Sequence, residues 1–450
     1  MSDTQATPPS KEELLGTVDP VRATAAPVGT TDVAAELPAA LQRRNIVYFV
    51  IITCLMYLCA PVLYVDFVQT TLCDKLGASK AVANLPSSAA RLMTGVPLIV
   101  AWLVPHTRWV RPMVAGGSTL LAVIGASMAM LLVTVKNPTV LIAGTVTYGG
   151  LCGFALGVQA IYMWEVLARG VAEAKRGVTF SLCYGIGPVL AVGGSVGAHF
   201  ILQDRIAWLS YPRDYALLFA LIVPAMMISA ILATRFHLSH AQEVVRRESF
   251  VTFVIGGAWD FLRDRRFLIV TVSYVLMFSA WWVMNNAMLQ IEEVLGVEPK
   301  KMAGLCDALR FGGKVICGLA LGWIYARFAG RTATISTAVL TAIAIGWALA
   351  VPGRLYLGTF ALFGGGELAG VYYFTYIISA SSPDLVKRNT ALLGMAGALV
   401  SIAPFALGTV ADHYGIPVSL WVAFGVALVA VTMLFALPAH PEAQRLKTED

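Results

Sequence analysis

The chain repeats itself. Leu76-Gly77, Arg91 and Arg108 return as Leu295-Gly296, Arg310 and Arg327, each 219 positions later (295 − 76, 310 − 91, 327 − 108). Further along, Gly153 and Gly157 return as Gly366 and Gly370, and Lys175-Arg176 returns as Lys387-Arg388, so the spacing drifts by only a few residues. A period close to half the chain marks a duplicated unit, and two parallel copies related by a pseudo-two-fold axis enclose whatever lies between them.

The unit is made of apolar runs. Crossing a hydrocarbon core of about 30 Å takes about 20 mostly apolar residues. The sequence offers twelve such runs, near 45–72, 85–104, 112–135, 139–166, 178–202, 214–234, 267–294, 302–326, 332–351, 355–379, 389–410 and 417–438. With 58% apolar and 13% charged residues and a mean hydropathy of +0.74, the chain lacks the polar surface of a soluble globule. The reading is an all-α membrane protein, with twelve transmembrane helices in two pseudo-symmetric six-helix halves at residues 41–235 and 267–438. Residues 1–40 have no apolar core and read as a disordered cytoplasmic tail, not a cleavable signal, and 439–450 read as a second tail. Between the halves, 236–266 reads as a cytoplasmic linker. There Phe250, Phe253, Val254, Gly257 and Phe261 recur at helical spacing, as in an amphipathic helix lying on the membrane surface, with a plain linker as the alternative.

Charge sets the orientation. The net charge of +6 comes from basic residues at the ends of apolar runs, which the positive-inside rule explains without any nucleic-acid partner. Arg43-Arg44, Arg108 with Arg111, Lys175-Arg176, Arg265-Arg266, Arg327 with Arg331 and Lys387-Arg388 fall on one side, read as cytoplasmic. The expectation is a multi-pass protein of the cell (inner) membrane with both termini inside. The seven cysteines form no CxxC or Cys/His spacing, so no metal, cofactor or disulfide framework is expected. Nor is there an HExxH or nucleophile-elbow motif, which argues against an enzyme.

The loop Gly318-x-x-x-Gly322-x-x-x-Ala326-Arg327-x-x-Gly330-Arg331 resembles the glycine-spaced, basic loop signature of the major facilitator superfamily, with Ala326 where that family usually has Asp. Its counterpart from His106 through Arg108 to Arg111 keeps the bases without the glycines. Gly185, Gly187-Pro188, Gly193-Gly194 and Gly197 on helix five resemble the Gly-Pro motif of antiporters in that superfamily, with close helix packing as the competing reading. The resemblance implies a secondary transporter that rocks its two halves around a central cavity. It implies gating roles for Arg108, Gly318, Gly322, Arg327 and Arg331, and partners limited to a small-molecule substrate and the bilayer, with the chain a monomer.

Charges within apolar runs are costly and point to the cavity. Arg91 and Arg310 occupy equivalent positions on helices two and eight, and two guanidiniums facing one cavity suit the oxygens of a small anion. Pairing with a local acid, such as Asp307 for Arg310, or snorkelling toward the surface are the alternatives. This placement is similar to that of the nitrate/nitrite porters, which implies Arg91 and Arg310 as anion ligands. Asp307, Arg310 and Lys314 fall on one helical face. Asp66 and Gln69 on helix one, Gln159 and Tyr162 on four, Asn285, Asn286 and Gln290 on seven and Tyr373 on ten complete the candidate substrate site. Glu367, alone in an uncharged mid-span run, is the candidate proton-coupling group, with Asp307 beside it; a structural, hydrogen-bonded Glu is the rival reading. The function expected is proton-coupled transport of a small anion by alternating access, symport, antiport and uniport all being open, with a neutral solute, a drug or a non-transporting sensor or assembly role as alternatives.

Overall fold

The computed structural model describes residues 37–438 except 105, 205, 207, 240–248, 250–255 and 382–384. Both tails, apart from 37–40 and thus the start of the first helix, and most of the proposed amphipathic segment lie outside the described residues. Among the described residues every regular element is helical. The first pass is built from α1 (Ala39–Leu58), α2 (Ala60–Leu63) and α3 (Phe67–Lys75), and the second from α4 (Lys80–Ala83), α5 (Leu85–Met93) and α6 (Pro97–Leu103). Single helices make passes three to six: α7 (Val110–Thr134), α8 (Pro138–Gly170), α9 (Glu173–Leu202) and α10 (Arg213–Ala233). After the short α11 (Gly257–Arg263), pass seven is α12 (Arg265–Trp281), α13 (Met284–Leu289) and α14 (Ile291–Leu295). Passes eight and nine run together as α15 (Pro299–Ala350). Pass ten is α16 (Gly358–Glu367) and α17 (Ala369–Ala380), pass eleven is α18 (Val386–Ala396) and α19 (Ile402–Tyr414), and pass twelve is α20 (Ile416–Leu434).

Nine of the described helical stretches are long and apolar enough to cross a membrane by length and composition. The second, eighth and tenth passes fall outside that set. They carry Arg91, Arg310 with Lys314, and Glu367. Charge lowers their hydropathy, and two of the three are also broken, at Thr94–Val96 and at Leu368.

The first run departs from a plain helix for a local reason. Pro61 enters α2 near its start, and Val65 then adopts φ 52°, a left-handed conformation that a β-branched residue rarely takes. The exposed backbone is satisfied by side chains: Gln69 Nε2 and Tyr148 Oη donate to the Val62 carbonyl (2.7 and 3.2 Å), and Ser87 Oγ donates to that of Val65 (2.7 Å). Asp66 then caps α3 by accepting from the Phe67 N–H (2.8 Å). The repeat is legible in the backbone, since Gly77 (φ 81°) and Gly296 (φ 65°) end the first pass of each half in the same left-handed turn. Pass seven likewise breaks after Trp281, so the uninterrupted run expected over 267–294 is three shorter helices.

The continuity of α15 corrects the expected gap between 326 and 332. The helix nevertheless folds back: Cys317 Sγ and Leu340 Cδ1 both lie against Gly365, 2.8 and 3.0 Å from where a methyl would sit. In a straight helix those two residues would be about 35 Å apart. Residues 236–239 also shift from the expected linker to the first half. Phe236 and Leu238 are buried with Ile52, Val166 and Leu167, and Asn45 Nδ2 donates to both the Gly170 and His237 carbonyls (2.8 and 2.6 Å).

An even number of passes puts both described chain ends on one face, here the terminal face. At the opposite face the halves are tied together. Lys75 pairs with Glu298 (2.7 Å), Lys300 with Asp204 and Asp214 (2.7 and 2.5 Å), and the Lys80 and Ala81 N–H groups at the start of α4 donate to the Asp412 carboxylate (2.6 and 2.9 Å).

Candidate functional site

One stripe of α15 meets the first half. Lys300, Gly304, Asp307, Phe311 and Lys314 recur at intervals of three and four and so share a face. Lys300 reaches Asp204 and Asp214; a methyl on Gly304 would strike the His199 backbone at 2.3 Å; the Phe311 ring lies 5.8 Å from that of Tyr64; Lys314 Nζ lies 6.0 Å from the Tyr57 ring. Arg310 lies beside this stripe, at the centre of a charge cluster. Its Nη1 stands 2.5 Å from Asp66 Oδ2 and 3.6 Å from Asp307 Oδ1, and its Nε stands 3.5 Å from Glu367 Oε2. Lys314 Nζ donates to Glu367 Oε1 at 2.8 Å. Aromatic rings of Phe311, Phe67 and Trp281 surround the guanidinium at 4.7, 5.4 and 5.9 Å. Exposure rises from the middle outward: the side chains of Asp307, Arg310 and Asp66 are 0, 1 and 2% exposed, those of Lys314 and Glu367 13 and 16%.

Two sequence expectations change. Arg310 does not face an open cavity, because Asp66, brought to it by the break at Val65, occupies its guanidinium. Glu367 is not an isolated carboxyl, since Lys314 and Arg310 both meet it. Arg91, the repeat partner of Arg310, is different. Its guanidinium lies 4.9 Å over the Trp282 ring, it is partly exposed, and among the described residues no carboxylate pairs with it. The neighbouring Trp282 Nε1–H is buried and has no acceptor among the described residues. Among the described residues, Arg91 and Trp282 therefore offer donors without acceptors.

Most of the other candidates brace helices. Gln69 holds the first break; Gln159 donates to Ser118 Oγ (2.9 Å) and Tyr162 to the Val104 carbonyl (3.0 Å). Asn285 donates to Ser87 Oγ (3.1 Å), and Asn286 joins Asn84, Ser419 and the Leu407 carbonyl (2.9, 3.0 and 3.0 Å). Gln290 accepts from Tyr356 (3.1 Å), and Tyr373 meets Ser273 (2.9 Å). A polar side chain surrounded by hydrocarbon needs a partner, so polarity in an apolar run marks a joint as readily as a ligand site. Among the loop residues, Arg331 Nη2 donates to the Phe435 carbonyl (2.9 Å), Gly318 packs toward Leu368, Arg108 lies 5.9 Å over the Trp109 ring, and Arg327 and Gly322 are exposed. The Asp204–Lys300–Asp214 bridge and the Asp412 cap were missed. Their residues sit at run ends, where charge reads only as orientation.

No model of a known protein family matches the sequence, and no curated protein matches it. Solved structures do. The chain is similar to a point mutant of the nucleoside transporter NupG (12% identity, TM-score 0.65, covering 87% of this chain and 99% of that one). It is similar to the D-xylose-proton symporter (14%, TM-score 0.66, 88% and 98%) and to a bacterial homologue of the human drug peptide transporters PepT1 and PepT2 (15%, TM-score 0.66, 90% and 99%). Identity this low leaves the cargo to be argued from the chain's own residues, but near-complete coverage of three transporters by one duplicated twelve-pass bundle settles the architecture: the chain has the major facilitator fold.

Proposed function

We propose that the protein is a secondary transporter carrying a small anionic solute by alternating access between its two halves, with the terminal face, rich in arginine, on the cytoplasmic side of the cell membrane. The carrying observation is the Arg91–Trp282 pair at the junction of the halves: among the described residues, a guanidinium without a carboxylate and an indole N–H without an acceptor. A planar fork beside a further N–H suits a carboxylate or nitrate. Arg310 supports the cavity from the equivalent position but spends its charge on Asp66. Lys314 and Glu367, partly exposed beside it, form the polar wall nearer the terminal face.

Purified protein in liposomes tests this. Nitrate or lactate at about 100 times its Kd should raise stability by about 2.7 kcal/mol, and labelled anion should exchange across the membrane. Arg91→Lys keeps the charge and loses the fork, so it should reduce exchange nearly as far as Arg91→Ala. Full exchange in Arg91→Ala would overturn the proposal. Uptake of a nucleoside or sugar without any anion uptake would move the reading to a neutral cargo, the class named for two of the similar structures.

A further inference from the structure

We propose that Asp307 carries a coupling proton, one for each monoanion held at Arg91; this rests on the anion-transport reading and adds the group and the ratio. Three carboxylates here share two directly paired cations. Asp66 has Arg310 at 2.5 Å and Glu367 has Lys314 at 2.8 Å. Asp307 has neither: both its oxygens are buried without a hydrogen-bond donor among the described residues, and Arg310 Nη1, already given to Asp66, is 3.6 Å away. The charged groups facing it are Arg310 on its own helix, Asp66 from α3 and Glu367 from α16, so two of the three are negative. Of the three carboxylates, Asp307 is the one with no donor or cation of its own among the described residues, and so the one whose charge a proton relieves most.

Its position gives the proton a route. Asp307 lies two helical turns, about 10 Å, inward of Lys300 on the stripe that meets the first half. Parting the halves at the opposite face uncovers Lys300, then Gly304, then Asp307. Beyond it on the same stripe comes Phe311, buried with Tyr57, Ala60 and Ala191, and then Lys314, whose partner Glu367 is partly exposed. A proton from water at the opposite face adds to one Asp307 oxygen. When access switches, that O–H bond breaks and the proton leaves to water on the terminal side, while Arg310, protonated throughout, pairs with the restored carboxylate. No other bond forms or breaks.

The ratio follows from charge. With Asp307 ionised before loading, Arg91, Arg310 and Lys314 balance Asp66, Asp307 and Glu367, so one anion at Arg91 together with one proton on Asp307 leaves the cavity's total unchanged. A dianion with one proton would bury an extra negative charge.

The experiment uses the full chain in liposomes with nitrate and lactate as probes and a pH dye in the lumen. One proton should enter per anion. Uptake should be insensitive to an imposed membrane potential, where carrying one net charge across about 100 mV would change accumulation by up to about fifty-fold. Asp307→Asn should abolish proton entry and gradient-driven accumulation, yet keep exchange above that of protein-free vesicles. Accumulation by Asp307→Asn, or coupling lost in Glu367→Gln and kept in Asp307→Asn, overturns the assignment. So does net anion uptake by the native protein without proton entry, a measurement that stands even if the variant fails to fold. A native protein that exchanges neither probe overturns the anion-transport reading itself.

Discussion

Arg310 touches three carboxylates, and removing it leaves Asp66 buried without its paired cation and Asp307 without its nearest one. Arg310→Met, which keeps much of the bulk, should therefore destabilise the protein by about 3–5 kcal/mol, and adding Asp66→Asn should recover part of the loss. Thermal melts of the purified variants measure both, and a single variant that melts with the native protein would show that the ion pair is dispensable to the fold. The sequence made the charged residues visible because a charge in an apolar run stands out. It did not reveal who pairs with whom. Asp66 and Arg310 are 244 positions apart, and their meeting depends on a left-handed kink at Val65 that no propensity of valine suggests. The same reason hid the pairing of Glu367 with Lys314, 53 positions away, and made it read as isolated.

Helices in this fold touch where glycine lets them. A methyl on Gly153 would lie 2.0 Å from the Ala90 carbonyl oxygen, and one on Gly364 would lie 1.9 Å from that of Arg310, so passes two and four, and eight and ten, approach through backbone alone. The glycine-rich helix five divides more finely. A methyl on Gly194 meets the Leu58 carbonyl at 2.0 Å, whereas one on Gly193 meets nothing within 4 Å. Gly194→Ala must push α1 away and should cost about 1–3 kcal/mol; Gly193→Ala, free of contact, should be neutral or gain up to about 1 kcal/mol from helix propensity. Matched melting curves check the pair, and equal losses in the two variants would refute the contact reading. That glycines of helix five serve packing was one of the two readings their spacing offered, and it holds for Gly187 and Gly194. Which of two adjacent glycines carries the contact was not, because that depends on the rotation of α9 against α1.

The joints between the two halves at the opposite face are electrostatic. Asp412 on α19 takes the first N–H groups of α4, a helix start from the other half, in the way a capping side chain does, with Gly408 one turn earlier allowing the approach: a methyl there would sit 2.6 Å from the Lys80 carbonyl oxygen. Lys300, 1% exposed, is held between Asp204 and Asp214. Bonds of this kind can be broken by parting rigid bodies and remade without refolding either, which is what alternating access requires of a closure. Removing the cap in Asp412→Ala should weaken the closed arrangement by about 1–2 kcal/mol, enough to raise the open fraction about five- to thirty-fold. The readout is a cysteine in place of Ser87, a fully buried residue between Asn285 and Val65, in a background freed of the seven native cysteines. A membrane-impermeant maleimide added from the opposite face should label it faster in Asp412→Ala than with Asp412 intact, and slower again when Asp412 is restored. Labelling at the same rate with and without the cap would mean that the halves are held closed by their apolar contacts, and that Asp412 merely finishes a helix end.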